Sequence, residues 1–133
     1  MCRLMLALAL VLTACSRDDS PTASAVISGS YRLSTVNDRP LPYVTPDGVF
    51  RSISAGRITF VSNDSLDFST TGSFGWMGPA TQVTRHGYNR TSSGLSVSFG
   101  TFSATITGDS RAIQLILPGG FVGFVPERYR YVK

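Results

Sequence analysis

The chain has 133 residues, of which 42% are hydrophobic and 13 are glycine. That composition suits one small folded domain and excludes both a disordered chain and a two-domain protein. Twelve basic residues against eight acidic ones give a formal charge of +4; with no dense Lys/Arg run, nucleic acid is not an expected partner.

The chain opens with Arg3 and an apolar run from Leu4 to Leu12. A bilayer-spanning helix needs roughly 20 apolar residues, so this run is too short, and a basic start before a short apolar core is the pattern of a secretory signal. The run ends at Leu12-Thr13-Ala14-Cys15. Leu, two small residues and Cys resemble the lipobox of bacterial lipoproteins. The resemblance implies cleavage before Cys15 and acylation of its thiol and new amino group by chains such as palmitate. Several acyl chains on one residue make a stable anchor where one chain is marginal. Residues 1–14 are then a lipoprotein signal peptide, 15–25 the lipidated cysteine with a flexible polar tether, and 26–133 the folded domain. Ser16 stands where an Asp would retain a lipoprotein in the inner membrane, so the expected address is the cell envelope, with the anchor in the outer membrane. Cys2 and Cys15 both lie in the leader region. The domain therefore has neither a disulfide nor a thiol nucleophile, and packing must stabilise it. Without Arg3 the basic-to-acidic balance is eleven to eight. Arg85, Arg90, Arg128 and Arg130 read as a solvated basic face near anionic lipid.

From Val26 onward the pattern is β. Arg39-Pro40-Leu41-Pro42 excludes a central strand and marks an ordered loop. Ile58 with Phe60, and Leu66 with Phe68, flank the turn-like Ser62-Asn63-Asp64-Ser65. Leu95, Val97 and Phe99 alternate with serines; Phe102, Ala104 and Ile106 alternate with Ser and Thr; Ile113, Leu115 and Leu117 form a third set. Such alternation puts one side of each strand in a core and the other in water. Closely spaced turns such as Ser92-Ser93-Gly94 and Gly108-Asp109-Ser110 point to an antiparallel meander, closed as a barrel or folded as a small sandwich. No helix of three turns is visible after the leader.

Residues able to carry chemistry are few. His86 is the only histidine, and no cluster of ligands for a metal accompanies it; it reads as a surface histidine. No Gly-x-Ser-x-Gly elbow occurs. Asp64 reads as a turn residue, and Asp67, between Leu66 and Phe68, should face water. No catalytic residue, metal or cofactor is expected, and the protein is not expected to be an enzyme. The stretch from Gly72 to Pro79 carries Phe74, Trp76 and Met77 on a glycine-rich loop. These side chains could line a barrel mouth and capture a small apolar ligand. Alternatively Phe74 and Trp76 fold inward and plug one end, which is the favoured expectation because an exposed apolar patch needs a partner.

GSYRLSTVNDRPLP, residues 29 to 42, resembles the opening of bacterial lipocalin-like lipoprotein domains: Gly-x-Tyr-x-Leu, a spacer, Val-Asn-Gly, then x-Leu-Pro. AGRITFVSNDSLDFS (55–69), HGYNRTSSGLSVSF (86–99) and FSATITGDSRAIQLIL (102–117) fit the same layout. Asp38 departs from the usual Gly, at a turn position where positive φ is expected; Asp tolerates that conformation better than most residues. The resemblance implies an all-β, up-and-down lipocalin-like barrel of about eight strands, a size that side chains can fill or that can hold one small ligand. It further implies a barrel floor of Tyr31 under a late arginine, Arg128 or Arg130, as a cation over an aromatic face. The expected function is a noncatalytic, lipid-anchored envelope domain binding a small apolar or amphipathic molecule. The alternative is a solid barrel with a structural or protein-interaction role; the sequence identifies no protein partner.

Overall fold

The computed structural model describes residues 26–44, 51–118 and 126–133. The leader, Cys15 and the tether lie outside the described residues. Among those described there are ten strands and no helix: β1 (Ser30–Val36), β2 (Arg39–Pro40), β3 (Tyr43–Val44), β4 (Arg51–Phe60), β5 (Ser65–Phe74), β6 (Met77–Thr91), β7 (Gly94–Phe99), β8 (Phe102–Gly108), β9 (Ala112–Leu117) and β10 (Glu127–Val132).

From β4 to β10 each strand pairs with the next. β10 pairs with β1, and β1 pairs back onto β4, so β1 and β4–β10 close an eight-stranded antiparallel barrel. The meander therefore closes on itself, and closure removes the free edges that an open sheet would expose. The short β2 and β3 flank the barrel on β1 and β4.

Alternation fills the interior. Ile58, Leu66, Leu95, Val97, Ala104, Ile106, Ile113 and Leu115 are all buried, while intervening residues such as Ser98 and Thr105 are exposed. Each large aliphatic side chain so buried contributes about 1.5–3 kcal/mol.

Local chemistry sets the turns. Asn37 (φ 49°) and Asp38 (φ 62°) both take the left-handed conformation between β1 and β2. That is the geometry of a two-residue hairpin matched to strand twist, in which Asn and Asp are among the residues that tolerate positive φ. Asp38 thus does the work of the expected glycine. Pro40, which cannot donate to a ladder, sits on a two-residue flanking strand, as its chemistry requires. At Gly72 an added Cβ would lie 2.0 Å from the Ser52 carbonyl oxygen. Only glycine permits this close approach of β4 and β5, beside the bulge between Ile53 and Ala55.

One end of the barrel is closed by aromatic side chains. Phe60 makes edge-on contacts with Tyr31 (centroids 6.1 Å) and Tyr88 (5.5 Å). The Tyr31 hydroxyl donates to the Asp109 carbonyl at 3.2 Å, and the Tyr88 hydroxyl donates to the Ser62 carbonyl at 3.0 Å. Both rings are thereby tied to turns at this end. Burial raises the Tyr31 pKa. The expected floor residue Tyr31 is fully buried, but the cation over its ring is Lys133, with Nζ 5.3 Å from the centroid. Arg128 and Arg130 are exposed because Tyr129 and Tyr131, their neighbours on β10, point inward; strand alternation places the two arginines on the outer wall.

Candidate functional site: an open cup in the barrel

The far end of the barrel is not filled. Ile53, Phe68, Phe99, Phe102, Leu117 and Tyr129, with Thr70, Gln82, Thr84 and His86, line a cavity of about 300 Å³. Register explains the lining. Phe68 lies opposite Thr84, Thr70 opposite Gln82, and Leu66 opposite His86 across β5 and β6. Phe99 lies opposite Phe102 across β7 and β8. The cup is therefore two-faced: Thr70, Gln82, Thr84 and His86 put hydroxyl, amide and imidazole groups on β5 and β6, and Phe68 of β5 joins the aromatic and aliphatic groups of β4 and β7 to β10 that make up the rest of the lining.

The aromatic wall is ordered by ring contacts. Phe99 stacks on Phe102 with centroids 5.4 Å apart and an interplanar angle of 9°. Phe68 meets Phe99 edge-on at 5.9 Å. Beneath the cup, Tyr131 contacts Phe68 at 6.4 Å. Tyr131 is fully buried, its hydroxyl has no hydrogen-bond partner among the described residues, and desolvation raises its pKa well above the ordinary tyrosine value.

His86, expected as a surface strand or loop histidine, is a half-buried residue of β6 whose ring lines the cup. Its Nδ1 lies 3.1 Å from the Ser98 carbonyl oxygen, and its Nε2 lies 2.7 Å from Thr84 Oγ1. A carbonyl only accepts, so Nδ1 carries the proton; in the neutral ring Nε2 accepts from the Thr84 hydroxyl. The ring rests against Phe99 with centroids 4.3 Å apart. A hydroxyl beside an imidazole is part of a hydrolytic triad, but here a backbone carbonyl holds Nδ1 where a triad has a carboxylate. Among the described residues, no three His, Cys, Asp or Glu side chains gather as they would around a metal ion. The Thr70 hydroxyl and the Gln82 amide have no hydrogen-bond partner among the described residues and are free to meet a polar group.

The glycine-rich loop lies elsewhere. Trp76 sits at the turn between β5 and β6 and is 94% exposed. The expected plug is therefore corrected. From Met77 to Thr81, before Gln82 and Thr84 reach the mouth of the cup, β6 is exposed on both faces, and such a ribbon has no interior into which its tip could fold. Met77 is also exposed. Neither Trp76 nor Met77 lines the cup; the side chain of Phe74 lies outside the described residues. Asp67 faces outward as expected. The Arg85 guanidinium grips it with Nε to Oδ1 at 2.7 Å and Nη2 to Oδ2 at 3.0 Å, and this hydrogen bonding holds the Asp67 carboxyl below its ordinary pKa.

Sequence reasoning missed Thr70, Gln82 and Thr84. A signal was present: Gln82, Thr84, His86 and Tyr88 follow one another at period two. Their polarity makes such a stripe read as an outer face.

Compared with known proteins, the chain matches no family model, no curated protein and no solved structure.

Proposed function

We propose that this is a noncatalytic, lipid-anchored envelope protein whose barrel takes up one small amphipathic molecule. The observation that carries the reading is the two-faced cup. A barrel built only as a support would gain stability by filling its interior; this one packs Tyr31, Phe60 and Tyr88 together toward one end and leaves an apolar-lined cavity of about 300 Å³ toward the other. An apolar cavity of about 150 Å³ holds a benzene ring. A cup of about 300 Å³ therefore suits a ligand of roughly a dozen heavy atoms on the same scale. The ligand's apolar part would lie on Phe99, Phe102 and Leu117, and its polar part would meet Thr70 and Gln82. The lipobox-like Leu12–Cys15 and the lipocalin-like opening at residues 29–42 support the address and the kinship.

The test is titration with 1-naphthylamine, which is within that size and whose emission shifts to shorter wavelength in an apolar site. One saturable site per chain is expected, lost when Gln82→Trp fills the cup. Absence of saturable binding would contradict the reading. A second reading, an interaction protein of the envelope, is favoured by one observation: Trp76 and Met77 stand exposed at the tip of a ribbon.

A further inference from the structure

The barrel closes at the seam between β1 and β4, and the seam carries an unusual row of side chains. Arg32 lies directly opposite Arg57 in register. Next to Arg57 on β5 is Ser69, and next to Arg32 on β10 is Val132. Directly opposed residues on one face bring their Cβ atoms to about 4.5–5.5 Å, and like charges so placed are destabilising. The neighbouring row shows what the same strands do when their polar groups are matched. There Ser30 and Thr59 share a hydrogen bond at 3.0 Å, and Asp67 pairs with Arg85. Among the described residues the Arg32 and Arg57 guanidiniums have no ion pair or hydrogen bond, and Ser69 has none for its hydroxyl.

Both arginines line one groove of about 550 Å³ on the barrel wall. The groove exists because β1 leaves β4 after the Arg32–Arg57 pair, while β3 takes up β4 only at Ile53 and Ser52. The edge of β4 from Ser54 to Gly56 is left without a strand partner on that side. Leu33, Leu41, Ala55 and Val132 give the groove apolar walls. Among the described residues, the acid on the adjoining row, Asp67, lies two residues from Ser69 and has both oxygens occupied by Arg85.

We propose that this seam is a binding site for a phosphate group, held between the Arg32 and Arg57 guanidiniums with the Ser69 hydroxyl as a further donor. Guanidinium forks match phosphate oxygens in geometry and charge. A bound anion turns the repulsive row into an attractive one, which accounts for two unpaired arginines facing each other where the barrel must close. The site is separate from the cup and does not depend on the cup holding a ligand. The phosphate could be free or part of a lipid headgroup, since the apolar groove walls admit either.

The test uses the full-length chain in nonionic detergent. Thermal unfolding is followed as inorganic phosphate replaces chloride at constant pH and ionic strength, and flotation with vesicles of phosphatidylcholine, with and without phosphatidylglycerol, is measured in parallel. A saturable rise in Tm with phosphate assigns a soluble ligand. Selective flotation with phosphatidylglycerol, without a phosphate effect, assigns a headgroup. In either arm Arg32→Gln or Arg57→Gln should weaken binding about tenfold or more, the usual consequence of losing a charge-assisted contact. Each should also raise Tm in chloride, because the like-charge contact is gone. Arg57→Lys, which keeps the charge and loses the fork, should fold normally and bind more weakly. Arg90→Gln, which changes net charge equally, should bind as the parent does. No response in either arm, an equal loss with Arg90→Gln, or a Tm in chloride lowered by both Gln variants would overturn the proposal.

Discussion

Asn37 shows how much one polar residue can hold. Its backbone N–H donates to the Arg128 carbonyl at 2.8 Å, and its Oδ1 accepts from the Arg128 N–H at 2.9 Å. Its Nδ2 donates to the buried Tyr43 hydroxyl at 3.1 Å, all from a residue with φ 49°. Asn37→Ala loses two side-chain bonds and the residue type that tolerates positive φ. It should cost about 1–3 kcal/mol in urea unfolding, and Asn37→Gly should recover part of that by relieving the backbone. Asp109 makes a similar local tie: its Oδ1 accepts from the N–H groups of Arg111 (2.7 Å) and Ala112 (2.9 Å). Those two bonds hold its pKa below the ordinary value, as Arg85 does for Asp67. A lowered folded-state pKa contributes stability above the unfolded value, about 3.9, that is lost as pH falls through the folded value. Chemical unfolding should therefore show a plateau near neutrality and a decline below about pH 4, shallower in Asp109→Asn. The Val-Asn-Asp stretch signalled the turn at Asn37, but its bonds to Arg128 and Tyr43 join residues far apart in sequence or across a loop, so only the fold reveals them.

Among the strands, inward and outward positions separate cleanly wherever apolar residues alternate with Ser or Thr. Leu115 is fully buried, and Leu115→Ala should cost about 2–5 kcal/mol. Ser98→Ala, on the outer face, should change stability by less than about 0.5 kcal/mol. Equal losses in urea unfolding would contradict the assignment of faces. These strands were legible because hydrophobicity and pleat agree. The stripe of Gln82, Thr84 and His86 on β6 was not, since a polar residue facing a cup and one facing bulk water look alike in sequence. The β5–β6 hairpin was misread for a related reason. An apolar tip suggests burial, yet both faces of β6 from Met77 to Thr81 are wet, so the ribbon carries Trp76 into solvent. Trp76 is the only tryptophan. Its emission should be red-shifted and readily quenched by iodide, and filling the cup should leave it unchanged; a blue-shifted, protected emission would place the ring inside.

For the whole molecule, the sequence shows a meander and the register decides what the meander encloses. Closure of β1 onto β4 was implied only by the lipocalin-like opening, because it joins residues 30–32 to 57–59, far apart in sequence. The division of the interior into a filled end, with Tyr31, Phe60 and Tyr88, and an open end, with Phe99 and Phe102, follows from how far each strand runs before it turns. No local pattern encodes that. The floor cation changed identity for the same reason: Lys133 reaches Tyr31, while alternation turns Arg128 and Arg130 outward. The most direct measurement is an amide and methyl NMR titration of the full-length protein with a short-chain amphiphile such as octanoate. Uptake into the cup predicts saturable shifts centred on Thr70, Gln82, Thr84, Phe99, Phe102 and Leu117, with Tyr31, Tyr88 and Trp76 unaffected. Shifts confined to Trp76 and Met77, or no saturable shift anywhere, would contradict it.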